Sequence, residues 1–280
     1  MHFKRKQFKD KMGINKEKHI SKENPFPPSG ARGLLTVVGA GPGDADLITI
    51  KAIKAIKSAD VILYDALINE TLLEYASAKA ELIYVGKRKG CYAYQQEQIN
   101  ELIVSRAKSH GHVVRLKGGD PFIFGRGAEE IDYAQRFGVE TYVVPGISSA
   151  IAVPAYQGIP LTKRGVSESF WVITGTTKAH KLSNDVALAA KSTATVVILM
   201  GMSKLNDIVN VFSAENKQDT AIAIIQNGTT ENEKFGVGTI RTIESVVAEK
   251  QLSSPAIIVI GDVVKERVVL NSIYKEFATA

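Results

Sequence analysis

The chain has a single cysteine, Cys91, among its 280 residues. That excludes an intramolecular disulfide and any zinc site built on several cysteines. No apolar run approaches the ~18 residues that would span a bilayer. Nor is there the apolar core of a secretory signal. A nucleotide-binding G-x-x-x-x-G-K-[ST] motif is missing, and so is the interleaving of aromatic and basic residues that suits nucleic acid. No internal repeat is visible. Even the excess of positive charge is local. Residues 1–32 hold nine Lys or Arg against three Asp or Glu, which accounts for the whole formal charge of +6. The remainder is electrically balanced, with no general attraction for nucleic acid or a membrane surface. These absences leave a cytoplasmic globular protein with a basic, polar leader that has little to bury, read as disordered and dispensable.

What is present is a strong alternation of strand and helix patterns. Apolar runs at 34–38, 61–64, 82–85, 112–116 and 140–144 read as strands. Between them, Ile50, Ile53 and Ile56 repeat at helical spacing with Lys51, Lys54 and Lys57 outside. Helices are also expected at 95–109 and 128–137. This alternation predicts an α/β fold with a parallel sheet. Pro145-Gly146 ends the fifth strand, and the small residues of 148–165 read as a connector. A second α/β block follows. Its strands are expected at 170–174, 195–199, 220–225, 234–240 and 256–260, and its helices near 182–190, 204–212 and 243–249. The expected organisation is a leader (1–32), an N-terminal α/β domain (33–147), the connector and a C-terminal α/β domain (166–280).

Two glycine loops carry the functional signal. The first, Gly39-Ala40-Gly41-Pro42-Gly43-Asp44, leaves strand one. It resembles a dinucleotide fingerprint but puts Asp44 where the third glycine belongs. Pro42 has no N–H to offer a phosphate, and the acid repels one. The loop therefore favours a ligand without phosphate. The second leaves strand four as Lys117-Gly118-Gly119-Asp120-Pro121-Phe122-Ile123-Phe124-Gly125-Arg126-Gly127. Paired glycines permit close backbone approach, and Asp120 accepts from hydroxyls or amines. Phe122 and Phe124 add apolar surface, and Arg126 suits a carboxylate. His110 and His112 bracket Gly111, a spacing open to metal, but no third ligand is apparent.

Taken with Tyr64-Asp65, Gly86-Lys87-Arg88, Pro145 to Ala150, Pro154 to Thr162, Met200-Gly201 and Gln226 to Thr229, the two loops resemble the tetrapyrrole methylase superfamily of S-adenosylmethionine (SAM) dependent enzymes. The likeness runs over about residues 33 to 265 and looks nearest to the uroporphyrinogen-III branch. It implies two α/β domains with a SAM-binding cleft between them, and a homodimer. It also implies a C-methyltransferase that methylates uroporphyrinogen III at two ring carbons, giving precorrin-2 through precorrin-1 for sirohaem or cobalamin and releasing S-adenosylhomocysteine. The nearest competing reading is a methyltransferase acting later in cobalamin synthesis.

Carried over position by position, the family pattern places Pro42, Gly118, Gly119, Asp120, Ile123, Ser148, Ser149, Met200 and Gly228 at the cofactor. It makes Asp65 a proton acceptor and Lys87 a proton donor or substrate-binding cation. From the residues alone, Asp65 reads equally as a turn or cap residue. Arg88, Arg126, Lys163 and Arg164 border the motif loops and are candidates to bind the substrate's carboxylates. No metal is expected.

Overall fold

The computed structural model describes residues 33–86 and 94–268. Its first sheet has β1 (Leu34–Gly39), β2 (Val61–Tyr64), β3 (Glu81–Tyr84), β4 (His112–Lys117) and β5 (Glu140–Val144), in the order β3-β2-β4-β1-β5. Every pairing in it is parallel. Parallel strands need crossovers, and helices supply them. Helix α1 (Ile50–Lys57) begins where the Thr49 side chain accepts from the Ala52 N–H. It packs Ala52, Ala55 and Ile56 on one face of the sheet. Helices α2 (Gln96–His110) and α3 (Gly127–Arg136) cover the other face with Ile103, Ala107 and Ala134. Strands β1 and β4 are buried along their whole length, so β1 reads as a mostly apolar run, while the polar side chains of β4 are themselves buried.

The expected connector contains a helix, α4 (Ser149–Tyr156). The Ser148 side chain caps it by accepting from Ala150 N–H. Ala150, Ala152, Val153 and Pro154 are all buried, so the segment shows no amphipathic period. That is why a pattern search reads it as a linker. Helix α4 packs on the second sheet, where Ala150 and Val153 join Val197, Ile225 and Val259.

The second sheet contains β6 (Phe170–Thr174), β7 (Thr195–Leu199), β8 (Ala221–Gln226), β9 (Lys234–Thr239) and β10 (Ala256–Ile260). Its order is β6-β7-β10-β8-β9, parallel only between β6 and β7. Helices α5 (Asp185–Lys191), α6 (Leu205–Ala214) and α7 (Ile243–Lys250) cover the face opposite α4, around Phe212, Ile198 and Ile224. The architecture is thus α/β with two sheets, one parallel and one mixed. Among the described residues no helix is long and apolar enough to cross a membrane.

Candidate active site

The loops that leave the carboxyl ends of the parallel strands meet at backbone contact. A Cβ on Gly39 would stand 2.5 Å from Gly146 N and 2.7 Å from Gly119 O. Gly119 N–H donates to Gly41 O at 2.6 Å, and Gly41 N–H returns a bond to Gly119 O at 3.3 Å. Three glycines are needed because three chains pass where no side chain fits. Asp120 locks the same junction. Its Oδ1 accepts from Phe122 N–H at 2.8 Å and its Oδ2 from Gly146 N–H at 3.0 Å.

Asp44 likewise serves the loops. It caps the short turn Ala45–Leu47 through Asp46 N–H and accepts from the Tyr156 hydroxyl at 2.7 Å. Its own N–H donates to Thr229 Oγ1 at 3.1 Å, tying the first glycine loop to the second half of the chain. The loop after β8 carries Asn227 and Thr229 at positive φ on either side of Gly228. A Cβ on Gly228 would lie 2.3 Å from a methyl of Val153.

Between these loops lies a cleft of about 530 Å³. Pro42, Gly118, Gly119, Ile123, Ser149, Met200 and Gly228, all named from sequence for the cofactor, line it, and so do Asp65 and Arg126. Met200 has a positive φ and is half-exposed, an uncommon posture for a non-glycine residue and one that clusters at functional sites. Asp120 and Ser148 are not on the wall; they hold the loops that are. Arg126 is paired with Glu129 at 2.9 Å. Lys163 does not line the cleft and pairs instead with Glu266. Arg164 is exposed outside it. Lys87 and Arg88 lie outside the described residues.

Asp65 makes the turn contact considered for it and a second bond besides. Its Oδ1 accepts from Leu67 N–H at 3.0 Å, a turn contact, while Oδ2 accepts from Arg115 Nη2 at 3.3 Å. Asp65 is also among the residues that line the cleft.

The sequence reading missed Arg115, Lys117, Glu130 and Gln96. Lys117 Nζ donates to Glu130 Oε1 at 2.9 Å, and Arg115 Nε donates to the same oxygen at 3.3 Å. Lys117 and Gln96 line the cleft. Burial pushes the Lys117 ammonium below the usual lysine range; the neighbouring charge of Arg115 adds to this and Glu130 opposes it. The signal was available. Two cations alternate with Val114 and Leu116 in a strand too apolar to be half-exposed, and buried cations require partners.

The histidines do not form a metal site. His112 is buried, with Nε2 2.8 Å from Thr36 Oγ1 and Nδ1 3.1 Å from Ser58 O. His110 is on the surface near Glu81. Among the described residues no cluster of three metal-ligating side chains exists.

Residues 34–244 match the family model for tetrapyrrole (corrin/porphyrin) methylases. The chain belongs to this family. Among individual methylases, the uroporphyrinogen-III C-methyltransferase of Methanocaldococcus jannaschii is 48% identical over 234 residues, covering 83% of this chain and 97% of that protein. The Priestia megaterium enzyme of the same name is 45% identical, covering 83% and 98%. Of solved structures, the Thermus thermophilus uroporphyrin-III C-methyltransferase complexed with S-adenosylhomocysteine aligns with a TM-score of 0.72. It is 34% identical and covers 84% of this chain and all of that one.

Proposed function

We propose that the cleft transfers a methyl group from SAM to uroporphyrinogen III, twice, giving precorrin-2 through precorrin-1 for sirohaem or cobalamin synthesis. One observation carries this reading. Residues from opposite halves of the chain, Asp65 and Gly118–Gly119 on one side and Met200 and Gly228 on the other, converge on a single cleft.

The chemistry of the walls suits SAM. The cleft is within the size range of small-molecule sites. Leu199, Met200, Ile225 and Ala256 offer apolar surface to an adenosyl group, and the glycine backbones at 118, 119 and 228 offer polar groups to its edges. Asp44 has its carboxylate committed to Asp46 and Tyr156 and disfavours phosphate at this end. Bound SAM supplies an electrophilic methyl on a sulfonium. The chain's own contribution is alignment, exclusion of water and removal of a proton.

A ring carbon that accepts a methyl cation leaves the macrocycle with a proton to shed. We read Asp65 as the group that takes it, a reading supported by its place in the cleft lining and by the hydrogen bonds that orient both its oxygens. Lys87 is read as the proton donor or a cation for the substrate. Arg126, which lines the cleft, is read together with Arg88, Lys163 and Arg164 as a partner for the substrate's carboxylates. Ser148 and Ser149 hold the start of α4 against the cofactor. We further read the protein as a cytoplasmic homodimer.

The test is an anaerobic incubation with uroporphyrinogen III and SAM, followed by mass spectrometry. The macrocycle gains two methyl groups. An unchanged macrocycle alongside full SAM binding would falsify the proposed substrate.

A further inference from the structure

Asp65 is the exposed end of a run of four alternating charges. Arg115 joins it to Glu130, and Glu130 is shared with Lys117. Exposure falls sharply along the run. The Asp65 side chain is 23% exposed, that of Arg115 4%, and that of Glu130 not at all. Arg115 is too deep to meet a substrate, so whatever it does for the reaction passes through Asp65.

Its guanidinium is fixed on three sides. Nη1 donates to Leu63 O at 3.3 Å and to Leu116 O at 2.9 Å, which are backbone groups of β2 and β4. Nε is held by Glu130, and Nη2 is left to meet Asp65. Glu130 is fixed in turn. Its Oε1 takes Arg115, Lys117 and Gln96 Nε2, the last at 3.2 Å, whereas Oε2 is buried with no hydrogen-bond partner among the described residues. A buried ion pair is weak evidence for stability, since apolar residues of the same volume often serve as well. This arrangement does achieve one thing that an apolar core would not. The turn contact from Leu67 N–H fixes Oδ1 of Asp65, and Arg115 fixes Oδ2, so the plane of the carboxylate is set.

We propose that Arg115 is a positioning residue that aims the Asp65 carboxylate into the cleft, with Glu130 as the buried anchor that holds Arg115 in place. The proposal rests on the reading of Asp65 as proton acceptor. Lysine at 115 would keep the charge but lose the fork that binds two strands, Glu130 and Asp65 together.

The experiment is a double-mutant cycle in the anaerobic methylation assay, using Arg115→Lys, Asp65→Asn and the pair. Arg115→Lys lowers kcat by up to about 100-fold, the cost of a misplaced reacting group, while KM for SAM stays unchanged. The pair is no slower than Asp65→Asn alone, because nothing is left to aim. Losses that multiply, or a KM for SAM that rises with the loss of kcat, overturn the proposal. Should Arg115→Lys fail to fold, Glu130→Gln enters the same cycle with the same expectation. A crystal structure of the folded variant gives a reading independent of turnover: Asp65 leaves its present orientation, and an unmoved Asp65 overturns the proposal. A wild-type protein inactive on uroporphyrinogen III would count against the reaction, and that crystal structure would still decide the positioning role.

Discussion

Replacing Gly146 by alanine should damage cofactor binding although Gly146 does not itself line the cleft. A Cβ at this position would lie 2.3 Å from Gly119 O and 2.8 Å from Gly39 Cα. A carbon–oxygen contact normally needs about 3.3–3.6 Å, so the loop of Gly118 and Gly119 must retreat by about 1 Å. Both obstacles are backbone, and neither can rotate away. Overpacking of this kind costs about 1–3 kcal/mol, which in a chain of this size lowers Tm by about 2–12 °C. The displaced loop is bridged to Gly41 and tied by Asp120 to Gly146 itself, so the shift spreads to the cleft wall. A misplacement of about 1 Å costs up to about 100-fold in rate.

Calorimetric titration with S-adenosylhomocysteine, together with thermal unfolding, reads both effects. Gly138→Ala is the control. Gly138 has φ +74 with nothing within 4 Å of its would-be Cβ, so alanine there strains only its own backbone. Both variants lose stability, and Gly146→Ala alone loses affinity. A Gly146→Ala protein that binds S-adenosylhomocysteine as the wild type does would refute the close packing of the three loops.

Asp65→Asn should slow methylation while SAM binding persists, as measured by turnover and calorimetry; an unchanged rate would return Asp65 to its turn contact with Leu67. Lys87→Ala should weaken binding of the polycarboxylate substrate more than binding of SAM, and equal weakening would count against a substrate-facing role. Burial lowers the pKa of His112 in the folded protein. The unfolded chain therefore takes up a proton there first, and this group's contribution to stability falls as pH drops below about 6.5, by at most about 1.4 kcal/mol per pH unit. Denaturant midpoints between pH 7 and pH 5 should fall more steeply for the wild type than for His112→Gln, and parallel slopes would remove His112 from the account.

What was legible in the chain follows from how many residue types a position can hold. The first sheet was readable because β1 and β4 are buried along their whole length, which leaves β1 mostly apolar and gives β4 an apolar centre at Val113 and Val114. The glycine loops were readable because Gly39, Gly119 and Gly146 pass within contact of one another and exclude every larger side chain. The second sheet's strands were readable, but their partners were not. Strand β10 enters between β7 and β8, a choice made by long-range packing that a local pattern does not encode. Helix α4 was hidden by its burial on several sides.

The charged residues divide by the same logic. Nearness in sequence to a motif put Lys163 among the substrate's partners, yet its ion pair is with Glu266, far along the chain. Asp120 was read as an acceptor for a ligand, and in the fold its carboxylate accepts from the backbone N–H groups of Phe122 and Gly146. Arg115 and Lys117 went unread because they were treated as the lead-in to Gly118. Their alternation with apolar residues in a fully buried strand already required a buried anion, and Glu130, one turn into α3 after the Arg126 loop, meets that need. Motif residues are found by asking what fits, whereas residues that support them are found by asking where each buried charge goes. Here the second question leads from β4 to Asp65.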